Sequence, residues 1–263
     1  MKFCKSILSG LAVATVALTV SSANAGDKLR LGTEGAFPPF NYIDSAGKLA
    51  GFDVDIGEEL CKRIEQECEL VAQDYDGLIP GLLAEKYDFL VASLFITEAR
   101  KKQVSFSDPY YLAAMTHVTD KKSGITEFNN EALSGKVIGA QSGTTQADFI
   151  GKIYPDADIR LYSTQDEVNL DMASGRLDVM VGDVIPLQEW TQKTDDGACC
   201  TISGEPITNP EFVGEGVGIA VRKQDEELLK ALNKALAEIL ADGTYKKIND
   251  KYFDLNVYTM KVE

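Results

Sequence analysis

Two periodicities organise the chain. Lys28-Leu29-Arg30-Leu31-Gly32-Thr33-Glu34 alternates apolar and polar positions, the period of a strand with one buried face. Phe89-Leu90-Val91 and Val217-Gly218-Ile219-Ala220-Val221 are continuous apolar runs, which predicts strands covered on both faces. Elsewhere the period turns helical. Ile56, Leu60 and Ile64 share one face of an expected helix over 54–67, and 226–241 is a strong amphipathic helix followed by a shorter one over 245–252. Leu70-Val71-Ala72 reads as a strand, and 75–83 as a loop and short helix. Strands alternating with helices predict a parallel sheet.

The pattern breaks at Asp120-Lys121-Lys122-Ser123-Gly124 and restarts at Lys136-Val137-Ile138-Gly139-Ala140. A helix over 146–153, a strand over 159–162, a helix over 164–174, a strand over 177–182 and a helix near 186–192 follow. Extended segments around 110–119 and 208–214 join this second α/β unit to the first. Two such units predict two lobes with a cleft between them, and ligands of open α/β sheets sit beyond the carboxyl ends of the strands.

Two strand–helix junctions fall at such ends. After Phe89-Leu90-Val91 the chain passes through Ser93 to Thr97, which can cap a helix opening Glu98-Ala99-Arg100. Free N–H groups and a planar guanidinium there suit a carboxylate. Arg100 alone also reads as an ordinary solvated first-turn residue. The second junction, Gly143-Thr144-Thr145-Gln146, lets a ligand approach the backbone closely at Gly143 and adds two hydroxyl donors. Taken alone it reads equally as a turn and cap; the pairing with Arg100 is the informative feature. Glu34 and Asp183 end strands and supply counter-charge, while Phe37 and Tyr75 offer aromatic faces. One cation and two separated carboxylates suit a ligand with one carboxylate and two cationic groups.

The net charge of −15 over 263 residues argues against nucleic acid or an anionic membrane surface as partner. Residues 1–25 read as a cleaved export signal: Lys2 and Lys5, an apolar stretch over 7–20, then Ala23-Asn24-Ala25. No cysteine stands at the cleavage site, so Cys4 is expected to be discarded with the signal rather than lipidated. In an oxidising compartment Cys61 and Cys68 are close enough for a local staple, contributing about 2.5 kcal/mol in the chain-entropy model. Cys199-Cys200 reads as either a vicinal disulfide or two free thiols. With a single histidine, His117, and no C-x-x-C pair, neither metal nor cofactor is expected.

These residues resemble the periplasmic amino-acid-binding proteins of ABC importers, solute-binding protein family 3, particularly the arginine and lysine/arginine/ornithine binders. The resemblance spans nearly all of the chain after residue 25. It rests on Gly32-Thr33-Glu34 with Pro39-Phe40, Gly51-Phe52-Asp53-Val54-Asp55, Leu78-Ile79-Pro80, Ile96-Thr97-x-x-Arg100, Phe106-Ser107, Gly143-Thr144-Thr145, Ser174-Gly175-Arg176-Leu177-Asp178, Gly218-Ile219-Ala220-Val221-Arg222 and Asp242-Gly243-Thr244-Tyr245.

The resemblance implies a two-lobed α/β fold, the periplasmic-binding-protein type II fold with a hinge of two crossing segments. Lobe 1 would comprise 26–112 and 215–263, lobe 2 118–208, and the hinges 113–117 and 209–214. It implies a monomer that captures a cationic L-amino acid and delivers it to an inner-membrane ABC permease from the periplasm. Arg100 with the Thr145 backbone would hold the α-carboxylate and Asp183 the α-ammonium. Glu34 would receive the side-chain cation, flanked by Phe37 and Tyr75. Ala92, Ser93, Leu94, Phe95, Gln141, Thr144 and Gln146 would complete the site. The departure is Phe95, where basic-amino-acid binders commonly carry a small or acidic residue. Arginine is the first expectation; lysine, ornithine, histidine and opines are alternatives. Two other classes compete: a dehydratase of a cyclic acid with Glu34 as general acid, and a sensor module. The lack of an evident nucleophile–base pair weighs against the enzyme.

Overall fold

The computed structural model describes residues 28–259. The expected export signal, with Cys4, lies outside the described residues. The first unit opens with β1 (Leu29–Thr33) and a small antiparallel sheet of β2 (Ala36–Phe37), β3 (Asn41–Ile43) and β4 (Leu49–Ala50). Then come α1 (Phe52–Arg63), β5 (Cys68–Ala72), a single 3-10 turn at Tyr75–Gly77, α2 (Leu78–Leu83), β6 (Phe89–Phe95), α3 (Glu98–Lys101) and β7 (Ser105–Phe106). The second unit holds β8 (Met115–Asp120), β9 (Val137–Gln141), α4 (Thr145–Ile153), β10 (Asp158–Tyr162), α5 (Gln165–Ala173), β11 (Val179–Asp183), α6 (Val184–Lys193) and β12 (Cys200–Ile207). The chain returns through α7 (Pro210–Val213) to β13 (Val217–Val221), α8 (Glu226–Ala241) and α9 (Thr244–Tyr252).

The strands form two five-stranded sheets of matching plan, β5-β1-β6-β13-β7 and β10-β9-β11-β8-β12. In each, the first three strands are parallel and the strand beside them runs antiparallel. The parallel strands are covered by helices, as their apolar runs require; every residue of β6, β11 and β13 is buried. On α8, Leu232, Ala235, Leu236 and Ile239 repeat at helical spacing and are buried, while the opposite face is polar.

Differences from the sequence reading have local causes. Helix α1 starts at Phe52 and stops at Arg63, because Glu65 turns left-handed at φ 57°. Cys61 and Cys68 then close a disulfide between the helix end and β5, and Cys199 is paired with Cys200 as well. The stretches expected as crossings are ordered: Met115–His117 begin β8, paired with β11 and β12, and Pro210–Val213 form one helical turn capped by Asn209. His117 is buried there, 2.7 Å from the Tyr154 hydroxyl and stacked on Phe128, and burial pushes its pKa down to about 4. Strand β12 has no counterpart in the apolar pattern. It lies at a sheet edge, the place that tolerates Gly204 and Pro206.

Candidate ligand-binding site

The parallel strands of both sheets end at one cleft. Glu34 follows β1, Tyr75 follows β5, Phe95 ends β6 and Arg100 sits just beyond it. From the other unit Gln141 ends β9, Gln165 follows β10 and Asp183 ends β11. Phe37, Tyr75, Ser93, Phe95, Gln141, Thr144, Gln146 and Asp183 line one narrow cavity of about 20 Å³. Gln165 also lines it and was not among the expected residues. The signal was present: it sits at the carboxyl end of a parallel strand, directly after the Thr164 cap of α5.

The electrostatics are unusual for a buried place. Arg100 is 8 % exposed, Glu34 8 % and Asp183 5 %. Among the described residues none of the three belongs to an ion pair. Each instead has neutral partners. The Arg100 guanidinium donates to the Phe95 carbonyl at 3.2 Å, to the Tyr75 hydroxyl at 3.2 Å and to the Gly143 carbonyl at 3.4 Å. It also lies 5.8 Å from the Tyr75 ring centre, within cation–π range. Glu34 accepts from Gln141 Nε2 at 2.6 Å, a bond between the two units, and Asp183 accepts from the Gln146 amide. Burial pushes both carboxyls up to about 7, partly offset by those amide donors and, at Asp183, by the Arg100 charge. A buried charge without a counter-charge is costly, so this cleft is built for a charged ligand.

Local structure explains how the polar groups are placed. Thr97 caps α3 through its hydroxyl, accepting from the Arg100 N–H at 3.3 Å. That helix is a single turn, so the guanidinium, rather than a helix dipole, carries the positive charge here. Thr144 caps α4: its hydroxyl accepts from the Ala147 N–H at 3.1 Å and donates to the Gln141 carbonyl at 2.6 Å. It is therefore committed to the cap, a correction to the expectation of a free donor. The Thr145 hydroxyl lies 3.4 Å from the Gln146 amide oxygen, and its backbone N–H opens α4. Gly143 has φ 73°, and a Cβ there would stand 2.8 Å from the Asp76 Cα of the other unit.

Ala92 and Leu94 are a further correction. Their side chains pack with Leu78, Leu82, Leu90 and Val104, on the side of β6 away from the Phe95 and Val91 cluster. Alternation along the strand sends them there. Ser93 is the exception within β6, a left-handed residue at φ 53°. The pairing of β6 with β13 slips here, matching Leu94 to Gly218 but Leu90 to Ala220, so extra residues of β6 bulge around Ser93. The bulge turns Ser93 into the cavity wall.

A second cavity of about 250 Å³ adjoins the first, sharing Phe37 and Gln165 with it. Pro38, Pro39, Pro186 and Trp190 give it apolar walls, with Asp166 and Asn169 among its polar lining.

Comparison with known proteins agrees with this architecture. Residues 29–255 match the family described as bacterial extracellular solute-binding proteins, family 3. The lysine/arginine/ornithine-binding periplasmic protein of Escherichia coli K12 is 38% identical over 255 residues, covering 96% of each chain. The L-arginine-binding protein of Pseudomonas aeruginosa is 38% identical over 254 residues, 96% of this chain and 97% of its own. Among solved structures, an ancestral arginine-binding protein bound to arginine superposes with a TM-score of 0.78 at 39% identity, covering 87% of this chain and 99% of that one.

Proposed function

The chain belongs to the bacterial extracellular solute-binding proteins of family 3, and on that footing we propose that its cleft captures a cationic L-amino acid, arginine before lysine, ornithine or histidine. The observation that carries this reading is the charge complement: one buried cation and two buried carboxylates, none in an ion pair among the described residues. Their sum of −1 matches a ligand with one carboxylate, one ammonium and one further cation. Arg100 and the Thr145 N–H take the α-carboxylate and Asp183, steadied by Gln146, the α-ammonium. Glu34, steadied by Gln141, takes the side-chain cation between Phe37 and Tyr75. Glu34 can pair both nitrogens of a guanidinium edge, which favours arginine over a point-charge ammonium.

A cavity of about 20 Å³ admits little more than a water, so an amino acid enters only when the two lobes part. The two lobes swing about the segments that join them, the one leading into β8 and 209–214 leading out of the second unit; Met115–His117, expected as part of the first hinge, belong to β8. Closure is selected by contacts that only the shut form completes. The protein is a monomeric, non-catalytic receptor of the periplasm, and it hands its ligand to an ABC permease of the inner membrane. A thermal-shift panel on refolded, ligand-free protein tests this: basic amino acids raise the melting temperature and neutral or acidic ones do not. No shift with any basic amino acid would refute it. One observation favours a second reading, an opine as ligand: the adjoining 250 Å³ cavity has room for a ligand longer than arginine. The same panel, extended to opines, separates the two.

A further inference from the structure

Asp53 lies in α1, is 0 % exposed, and does not line the cleft. A carboxylate in such a place needs several donors. It has three, from three different segments. Asn41 Nδ2 donates at 2.8 Å and Ser93 Oγ at 2.9 Å to one carboxylate oxygen, and the Tyr110 hydroxyl donates at 2.6 Å to the other. Each donor leads on to the cleft. Tyr110 Oη also accepts from the Ser93 N–H at 3.3 Å, so both donors of the bulged residue are tied to Asp53, one directly and one through the phenol. Asn41 uses its own oxygen to accept from the Gly35 N–H at 2.8 Å, directly after Glu34. Gly35 is itself left-handed, at φ 86°.

A serine at positive φ is held there against its own preference, at a cost its surroundings must offset. We infer that Asp53 is a positioning residue of the cleft: without reaching the ligand, its carboxylate holds Ser93 in the left-handed bulge and, through Asn41, sets the loop that carries Glu34. The inference rests on the reading of the cleft as an amino-acid site. It joins the wall beside Arg100 to the residue assigned to the far end of the ligand, so one buried acid pre-organises both.

The test is a double-mutant cycle on arginine affinity, measured by calorimetric titration. Asp53→Asn keeps the shape but removes the charge and leaves one acceptor oxygen where there were two, so the Tyr110 hydroxyl loses its acceptor and the hold on the bulge loosens. Arginine affinity is expected to fall about tenfold to a hundredfold. Glycine adopts the left-handed conformation without strain, so in a Ser93→Gly background the same change is expected to cost at least about threefold less, the remaining loss being the arm that runs through Asn41 to the Glu34 loop. A residue that served stability alone would give equal losses in both backgrounds. If Asp53→Asn does not fold, Tyr110→Phe replaces it: the ring stays, the Ser93 N–H loses its acceptor, and the loss is again suppressed by Ser93→Gly. Equal losses in the two backgrounds, or wild-type affinity in Asp53→Asn, would overturn the inference. Wild-type protein that binds no basic amino acid would overturn the functional reading first and this inference with it.

Discussion

At the scale of the residue, the account turns on Arg100. It is a buried guanidinium held by a carbonyl, a phenol and a backbone oxygen from the other unit. On the proposed reading, replacing it leaves the ligand carboxylate buried without its cationic partner, a loss of about 3–5 kcal/mol. Arg100→Ala is therefore expected to weaken arginine binding by about two to four orders of magnitude in calorimetric titration. Unchanged affinity would remove Arg100 from the clamp. The places of Arg100, Glu34 and Asp183 were legible in the sequence only jointly: each alone reads as an ordinary solvated residue, but three charges just beyond strand ends point to one cleft. Ala92 and Leu94 were misplaced because strand alternation, not proximity in sequence to Ser93, decides which side chains face the cleft. Asp53 was visible only as part of a motif: nothing in a linear sequence shows that Asn41, Ser93 and Tyr110 converge on it.

At the scale of the element, the turn between β9 and α4 brings the second unit's backbone close to the first. Gly143 is left-handed, and the place its Cβ would occupy is 2.8 Å from Asp76 Cα. Gly143→Ala therefore adds backbone strain and holds the two surfaces apart. Arginine affinity is expected to fall about tenfold or more. Calorimetry checks this beside a melting curve, and affinity within a factor of two of wild type would contradict it. Most elements could be read from periodicity, and α8 matches the expected span, because amphipathic spacing is a local property. Strand β12 could not, since an edge strand with a glycine and a proline owes its existence to pairing with β8. The length of α3 was equally hidden, because a cap signals where a helix begins and not how far it runs.

At the scale of the whole molecule, two sheets of matching plan bring acids from both units into one buried cleft, and on the proposed reading binding then depends on pH. Glu34 and Asp183 are both pushed up to about 7 by burial. The folded protein without ligand thus holds more protons than the unfolded chain between the ordinary carboxylate range and about pH 7. These groups favour folding at low pH and lose that contribution as pH rises through about 7. A cationic ligand needs both acids ionised, so the dependence of binding has the opposite sign. Arginine affinity is expected to be at least about tenfold weaker at pH 5 than at pH 8, with proton uptake by buffer on binding near pH 6. An affinity flat across that interval would contradict the assignment of the two carboxylates. The two-lobed plan was legible because the βαβ rhythm occurs twice; the bonds across the cleft, Gln141 to Glu34 and Arg100 to Gly143, were not, since they join residues far apart in the chain. The most direct test of the central claim, that opposite charges grip both ends of a cationic amino acid, is one comparison by calorimetric titration of refolded protein. L-arginine is set against L-citrulline, nearly identical in shape but without the terminal charge. The account predicts that citrulline binds at least about a hundredfold more weakly, the cost of leaving the Glu34 carboxylate buried without its partner. Equal affinity for the two would contradict it.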